Sequence, residues 1–156
     1  MQKRLVDARE QRSVTEESWL DLEAMAQVEL TSEDPARPIE GALLPNGQSG
    51  WRAAEPGRQS IRLLFHQPQH LRRILLRFDE PRNARTQEFA LTWSPDGGRT
   101  SREIVRQQYS FSPAGSTSEI EDLNVDLPTV TALELTIIPD QGRGQAYASL
   151  SEWRLA

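Results

Sequence analysis

Large apolar residues recur at every second position through most of this chain, and the repeat restarts after each cluster of Pro, Gly, Asn or Asp. The clearest case runs from Thr86 to Thr100, TQEFALTWSPDGGRT. Phe89, Leu91 and Trp93 alternate with Glu88, Ala90 and Thr92. A period of two sends successive side chains to opposite faces of an extended chain, so this segment predicts a half-buried strand. Pro95-Asp96-Gly97-Gly98 ends it, because proline presets one backbone angle and glycine admits positive φ. A second strand-like stretch, Arg102 to Gln107, follows directly, and the pair reads as a hairpin.

The same rhythm continues on both sides. Gln27 to Thr31 places Val28 and Leu30 on one face, and Ser60 to Phe65 does so with Ile61, Leu63 and Phe65. Gln67 to His70, with Pro68 inside it, reads as a turn. Leu71 to Phe78 points Ile74, Leu76 and Phe78 inward, with Arg73, Leu75 and Arg77 outward. Ile120 to Leu127 is ended by Pro128, and Ala132 to Ile138 alternates through Leu133, Leu135 and Ile137. The last strand, Ala146 to Leu155, carries Leu150, Trp153 and Leu155, whose broken alternation predicts a bulge.

Two regions depart from this pattern. Ser13-Val14-Thr15-Glu16 fits a capping box, and Trp19, Leu20, Leu22 and Met25 follow at helical spacing, which predicts a short helix over Glu16 to Ala24. Ser32 to Gly57 is rich in Pro and Gly turn signals. A loop of that length in a compact domain is functional or is packed down by its own side chains; Ile39, Leu43 and Trp51 are the expected anchors. About eight short strands, with no long helical pattern between them, predict an all-β, antiparallel jelly-roll β-sandwich. Residues 1–26 are expected to form an arm and short helix, and residues 27–156 the sandwich.

Composition narrows the function classes. At 156 residues the chain is one domain with a real core. Its formal net charge is −5, which argues against a large phosphate-binding footprint, so nucleic acid is not an expected partner. The absence of cysteine removes disulfides, thiolate chemistry and Cys-based zinc sites. No apolar run approaches membrane-spanning length, and the N-terminal MQKRLVDAREQR lacks the apolar centre of a secretory signal. The expectation is a cytoplasmic protein with no membrane partner.

Catalytic chemistry has no visible seat. There is no nucleophile elbow and no phosphate loop, and the carboxylates are scattered without a reason for a raised pKa. His66 and His70 flank Pro68, which forbids the helical spacing of a metal pair, and no third histidine exists. The expectation is a binding module rather than an enzyme.

Gln107 to Ser118, QQYSFSPAGSTS, carries the best candidate chemistry. A sugar site needs an aromatic face for C–H groups and planar amide or guanidinium donors for hydroxyls. Tyr109 and Phe111 are assigned the stacking role, with Arg106, Gln107 and Arg85 as hydrogen-bonding partners. The competing reading has both aromatics folding back to cap the sandwich. A second candidate is an Arg-rich sheet face built from Arg62, Arg73 and Arg77, suited to a protein partner because arginine is enriched and lysine depleted at such interfaces. Lys3 is the only lysine in the chain. The competing reading is an ordinary solvated face with cross-strand pairs to Glu88 and Glu134.

From Val28 onward the order of landmarks resembles the discoidin domains, the coagulation-factor type C modules of the galactose-binding-like superfamily. The strand VELTSED leads to a long loop holding IEGALL and ending in GWRAA; SIRLLF and LRRILLRF follow, then the hairpin EFALTWSPDGG, and finally LELTII and ASLSEWRL. The resemblance implies an eight-stranded jelly roll with ligand loops at one end, binding without catalysis, and carbohydrate as the leading ligand. Many family members hold a structural calcium in the first long loop, where Leu44-Pro45 stands here in place of Asp-Gly. Glu152 matches the family's late acidic residue, and Asp34 would lend a second carboxylate, leaving an incomplete set of oxygen ligands. The missing cysteines favour an intracellular relative over an adhesion protein.

Overall fold

The computed structural model describes residues 19–45, 49–142 and 144–156. Among these described residues, two short helices, α1 (Leu22–Met25) and α2 (Glu40–Leu43), accompany eight strands. These are β1 (Ala26–Leu30), β2 (Trp51–Pro56), β3 (Gln59–Asp79), β4 (Arg85–Ser94), β5 (Arg102–Phe111), β6 (Ser118–Ile138), β7 (Tyr147–Leu150) and β8 (Glu152–Leu155). All pairings between them are antiparallel.

A long ribbon of β3 and β6 organises the rest. Its first part pairs Gln59 to Leu64 with Ala132 to Ile137, and here β1 joins one edge while β4 and then β5 join the other. Its second part pairs Leu71 to Asp79 with Ser118 to Leu127, and here β8 joins β3. The ladder shifts register between Leu64 and Arg73, and there the ribbon bends from one layer into the other. Phe78 from the second part then meets Phe89 of β4 across the core, with ring centroids 5.2 Å apart. The result is the expected jelly-roll sandwich, with β2 and β7 as a small separate pair.

The expected alternations supply the core. Ile61, Leu63, Ile74, Leu76, Phe78, Phe89, Leu91, Leu133, Leu135 and Ile137 are all fully buried. Ile39, Leu43 and Trp51 anchor the long loop as expected, and the Trp51 indole N–H donates to the Ser32 carbonyl. The loop contributes β2 and α2, which sequence periodicity did not resolve.

Four expectations are corrected. Gln67 to His70 is not a turn, and Pro128 does not end a strand: β3 and β6 run through both prolines. Both prolines sit in or beside the register shift, where a missing backbone N–H forfeits no regular ladder bond. The helix expected over Glu16 to Ala24 lies partly outside the described residues. Residues 19–21 are not helical, because the Leu20 amide donates to the Leu155 carbonyl at 2.8 Å and ties this segment to β8. The capping box at Ser13 to Glu16 also lies outside the described residues. The expected bulge in the last strand is a break at Ser151, which lets Leu150 and Trp153 both turn inward.

Candidate functional site

The segments 80–84, 112–117, 139–142 and 144–146 emerge at one end of the sandwich, and backbone hydrogen bonds hold them to one another or to the neighbouring chain. Glu80 N–H donates to Thr117 O, Gln141 N–H to Thr86 O and Gly57 N–H to Ala146 O. Between these segments and β2 opens a cleft of about 780 Å³. Its walls include Arg37 and Arg52 on one side, Glu80 to Arg85 on another, and Asp140 with Gln145 to Tyr147 on a third.

Each wall has a local cause. Arg52 donates its amide to the Arg37 carbonyl at 3.1 Å, so the two arginines leave adjacent backbone positions. β2 pairs with β7, which sets Tyr147 opposite Pro56 and Ser149 opposite Arg52. Ala148 and Leu150 of β7 point into the core, so Tyr147 faces out and is 39% exposed. The Arg52 guanidinium lies 4.8 Å from the centroid of its ring, a cation–π contact that fixes both side chains. The 80–85 loop is braced by Glu80, which accepts from the Arg82 amide at 3.2 Å and from Arg85 Nε at 2.8 Å. Burial pushes the Glu80 carboxyl upward, but the Arg85 guanidinium and the Arg82 and Asn83 amides outweigh it and hold the group below its ordinary value. That bracing leaves the side chains of Arg82 and Asn83 exposed at the rim.

Of the five residues expected to bind a sugar, only Arg85 reaches this cleft. Gln107 to Phe111 is not a loop; it belongs to β5, paired with β4. Phe111 is 2% exposed and has no free face for a ligand. Its ring is covered by Tyr109 at 5.0 Å and by the Arg85 guanidinium at 4.8 Å. The structure thus joins Tyr109, Phe111 and Arg85 as a packed stack under the end of the sandwich. Arg85 is itself committed, donating to Glu80, to Gln87 Oε1 at 3.1 Å and to the Pro139 carbonyl at 2.7 Å. Arg106 lies on β5, held by Glu103 at 2.8 Å and Glu88 at 3.3 Å. Gln107 is exposed on the same strand, opposite Phe89.

The three arginines expected to share one face do not share it. Arg62 belongs to the first part of β3 and Arg73 and Arg77 to the second, so the bend puts them on opposite layers. Arg62 pairs with Glu29 and Glu134, Arg73 with Asp122, and Arg77 with Asp79 and Glu152. The two residues considered for calcium are also engaged elsewhere. Asp34 accepts the Ala36 amide, and Glu152 pairs with Arg77 and Arg154. No cluster of three or more His, Asp or Glu side chains suited to a metal occurs among the described residues.

Tyr147, Arg37 and Asn83 were missed, and Arg52 reads in the sequence as a neighbour of Trp51, whereas its aromatic partner is Tyr147. Tyr147 had a readable signal, since it is out of phase with Ala148 and Leu150. Arg37 had none, because its approach to Arg52 depends on a backbone bond between separate segments, as the approach of Arg52 to Tyr147 depends on the β2–β7 pairing.

This architecture is an antiparallel jelly-roll β-sandwich. No family model and no curated protein matches the chain. Solved structures do. A CBM32 module from Clostridium perfringens, in complex with GalNAc-β-1,3-galactose, shares 21% identity over 88% of this chain and 99% of its own, with a TM-score of 0.63. A CBM32 module from a family 31 glycoside hydrolase of the same organism shares 18% identity over 91% of this chain and 96% of its own, with a TM-score of 0.63. A pectin-binding carbohydrate-binding module shares 16% identity over 84% of this chain and 89% of its own, with a TM-score of 0.61.

Proposed function

We propose that this chain is a non-catalytic carbohydrate-binding module and that the sugar lies in the cleft around Tyr147. The observation that carries this reading is the exposed Tyr147 ring, fixed by Arg52 and set in a cleft rimmed by Arg82 and Asn83. An aromatic surface suits the C–H face of a pyranose, and amide and guanidinium donors suit its hydroxyls. Two of the structures that share this fold support the reading: one is in complex with a disaccharide, and one is described as binding pectin. The cleft carboxylates of Glu80 and Asp79 are held by arginines, which suits structural work rather than proton transfer.

The test is an NMR titration of the labelled protein with a panel of neutral and acidic oligosaccharides. Saturable shifts are expected at residues 82–85 and 145–149 and at Arg37 and Arg52. Tyr147→Ala should weaken binding about tenfold or more, since stacking on an aromatic contributes on the order of 1–3 kcal/mol. Shifts confined to residues 106–111 would move the site to β5. No shift with any sugar would overturn carbohydrate binding.

A further inference from the structure

The cations of the cleft are not neutralised in the way the rest of its charge is. Arg85 is paired with Glu80 at 2.8 Å, and Asp79 with Arg77 at 3.2 Å. Arg37, Arg52 and Arg82 form no salt bridge among the described residues. The remaining carboxylate of the cleft wall, Asp140, accepts the Gly142 amide. Among the described residues, three guanidinium groups outside any ion pair therefore line the cleft together with one such carboxylate, in a chain whose formal net charge is −5. A concave site with that local excess focuses a positive potential.

The arrangement also has direction. Arg52 lies against the Tyr147 ring, and its amide's bond to the Arg37 carbonyl brings a second arginine to the same cleft wall, where, among the described residues, Arg37 Nη1 donates only to the Ser49 carbonyl at 3.5 Å. A hexuronic acid offers a C–H ring face and, at the ring edge, a planar carboxylate. The arginine fork matches a carboxylate with two parallel N–H···O bonds, which an uncharged hydroxymethyl group cannot accept equally well.

We infer that this cleft selects a carboxylated sugar, a hexuronic acid unit of an acidic glycan, with Tyr147 under the ring and Arg52, Arg37 and Arg82 around the carboxylate. The inference rests on the carbohydrate reading above and narrows it to an acidic ligand.

The experiment is isothermal titration of the full chain with tri-galacturonic acid and with the matched neutral galactose trimer, at low salt and at about 1 M NaCl, where the screening length falls to about 3 Å. The acidic trimer is expected to bind about tenfold or more tighter at low salt, the effect of one good charged hydrogen-bonded pair. High salt should close most of that gap. Arg52→Gln and Arg82→Gln should each weaken the acidic trimer more than the neutral one. Arg62→Gln, remote from the cleft, should change neither. Equal affinity for the two trimers would overturn the acidic preference while leaving sugar binding intact. Binding of neither would overturn both. An acidic preference untouched by Arg52→Gln and Arg82→Gln would overturn the role given to the cleft arginines.

Discussion

Arg154 Nη1 donates to the Ala42 carbonyl at 2.7 Å, joining β8 to α2 across 112 residues of sequence. Nη2 of the same guanidinium donates to the Leu44 carbonyl at 2.9 Å, and Glu152 lies 3.5 Å from Nε. The long loop that supports the cleft is therefore held by a buried cation belonging to the chain itself. Arg154→Leu would leave both carbonyls without their donor, and it is expected to destabilise the fold by roughly 2–4 kcal/mol in urea denaturation. The family resemblance places calcium at this loop and at the late acidic residue. Because Arg154 already supplies positive charge to both, added calcium or EDTA is expected to leave the unfolding midpoint unchanged. A calcium-dependent rise would show a metal bound to the folded state and would contradict this account.

Glu119 is 3% exposed and accepts from Gln87 Nε2 at 3.2 Å. Burial, reinforced by a hydrogen bond to Glu121 and that residue's negative charge, pushes its carboxyl up to about 7, against the opposing pull of Gln87 and Arg85. The folded chain thus keeps a proton that the unfolded chain releases near its ordinary value. Stability is expected to fall as pH rises from about 4.5 to about 7 and then to level off, because the folded state binds more protons in that window. Glu119→Gln mimics the neutral form. It should match the parent at pH 4 and exceed it by roughly 1–3 kcal/mol at pH 8. Parallel pH profiles for the two proteins would show that Glu119 is not the titrating group.

Phe111 and Tyr147 separate packing from recognition. Phe111 is buried between Tyr109 and Arg85, so Phe111→Ala should cost about 3–5 kcal/mol of stability through the cavity it leaves. Tyr147→Ala should change the urea midpoint little and act on sugar affinity instead. The reverse result, a mild stability loss at Phe111 and a severe one at Tyr147, would exchange their roles.

Much of the fold was legible because burial in a sheet writes itself as a period of two. Ile61, Leu63 and Phe65, and likewise Leu133, Leu135 and Ile137, announced their inward faces before any pairing was known. Trp51, Ile39 and Leu43 announced the packed loop by their size among small polar neighbours. Pro68 and Pro128 misled, because a proline reads as a break unless a register shift elsewhere in the ladder excuses it, and that shift is a property of two strands together. The site was less legible for a related reason. Tyr109 and Phe111 looked like loop aromatics, but their cross-strand partners on β4, Gln87 and Arg85, extend the strand and turn the pair inward. Arg52 and Tyr147 are brought together by the β2–β7 pair and Arg37 by its carbonyl's bond to the Arg52 amide, neither of which local spacing encodes.

Two glycines with nearly the same backbone angle offer a test of how closely that support is packed. Gly50 has φ 71° and Gly97 has φ 74°, both in the left-handed region that disfavours other residues. At Gly97 an added Cβ meets nothing within 4 Å, whereas at Gly50 it would lie 2.8 Å from the Leu150 carbonyl oxygen. The Gly50 carbonyl in turn closes over Gly41, whose own Cβ would lie 2.6 Å from it. Gly97→Ala should therefore cost only the conformational term, about 1–2 kcal/mol. Gly50→Ala should cost that term and a further clash with the backbone of β7. It should also weaken sugar binding, because Gly50 leads directly into Trp51 and Arg52. Equal losses at the two positions in urea denaturation would show that the loop yields to the extra methyl group, and that its close approach to β7 is not what holds the cleft in shape.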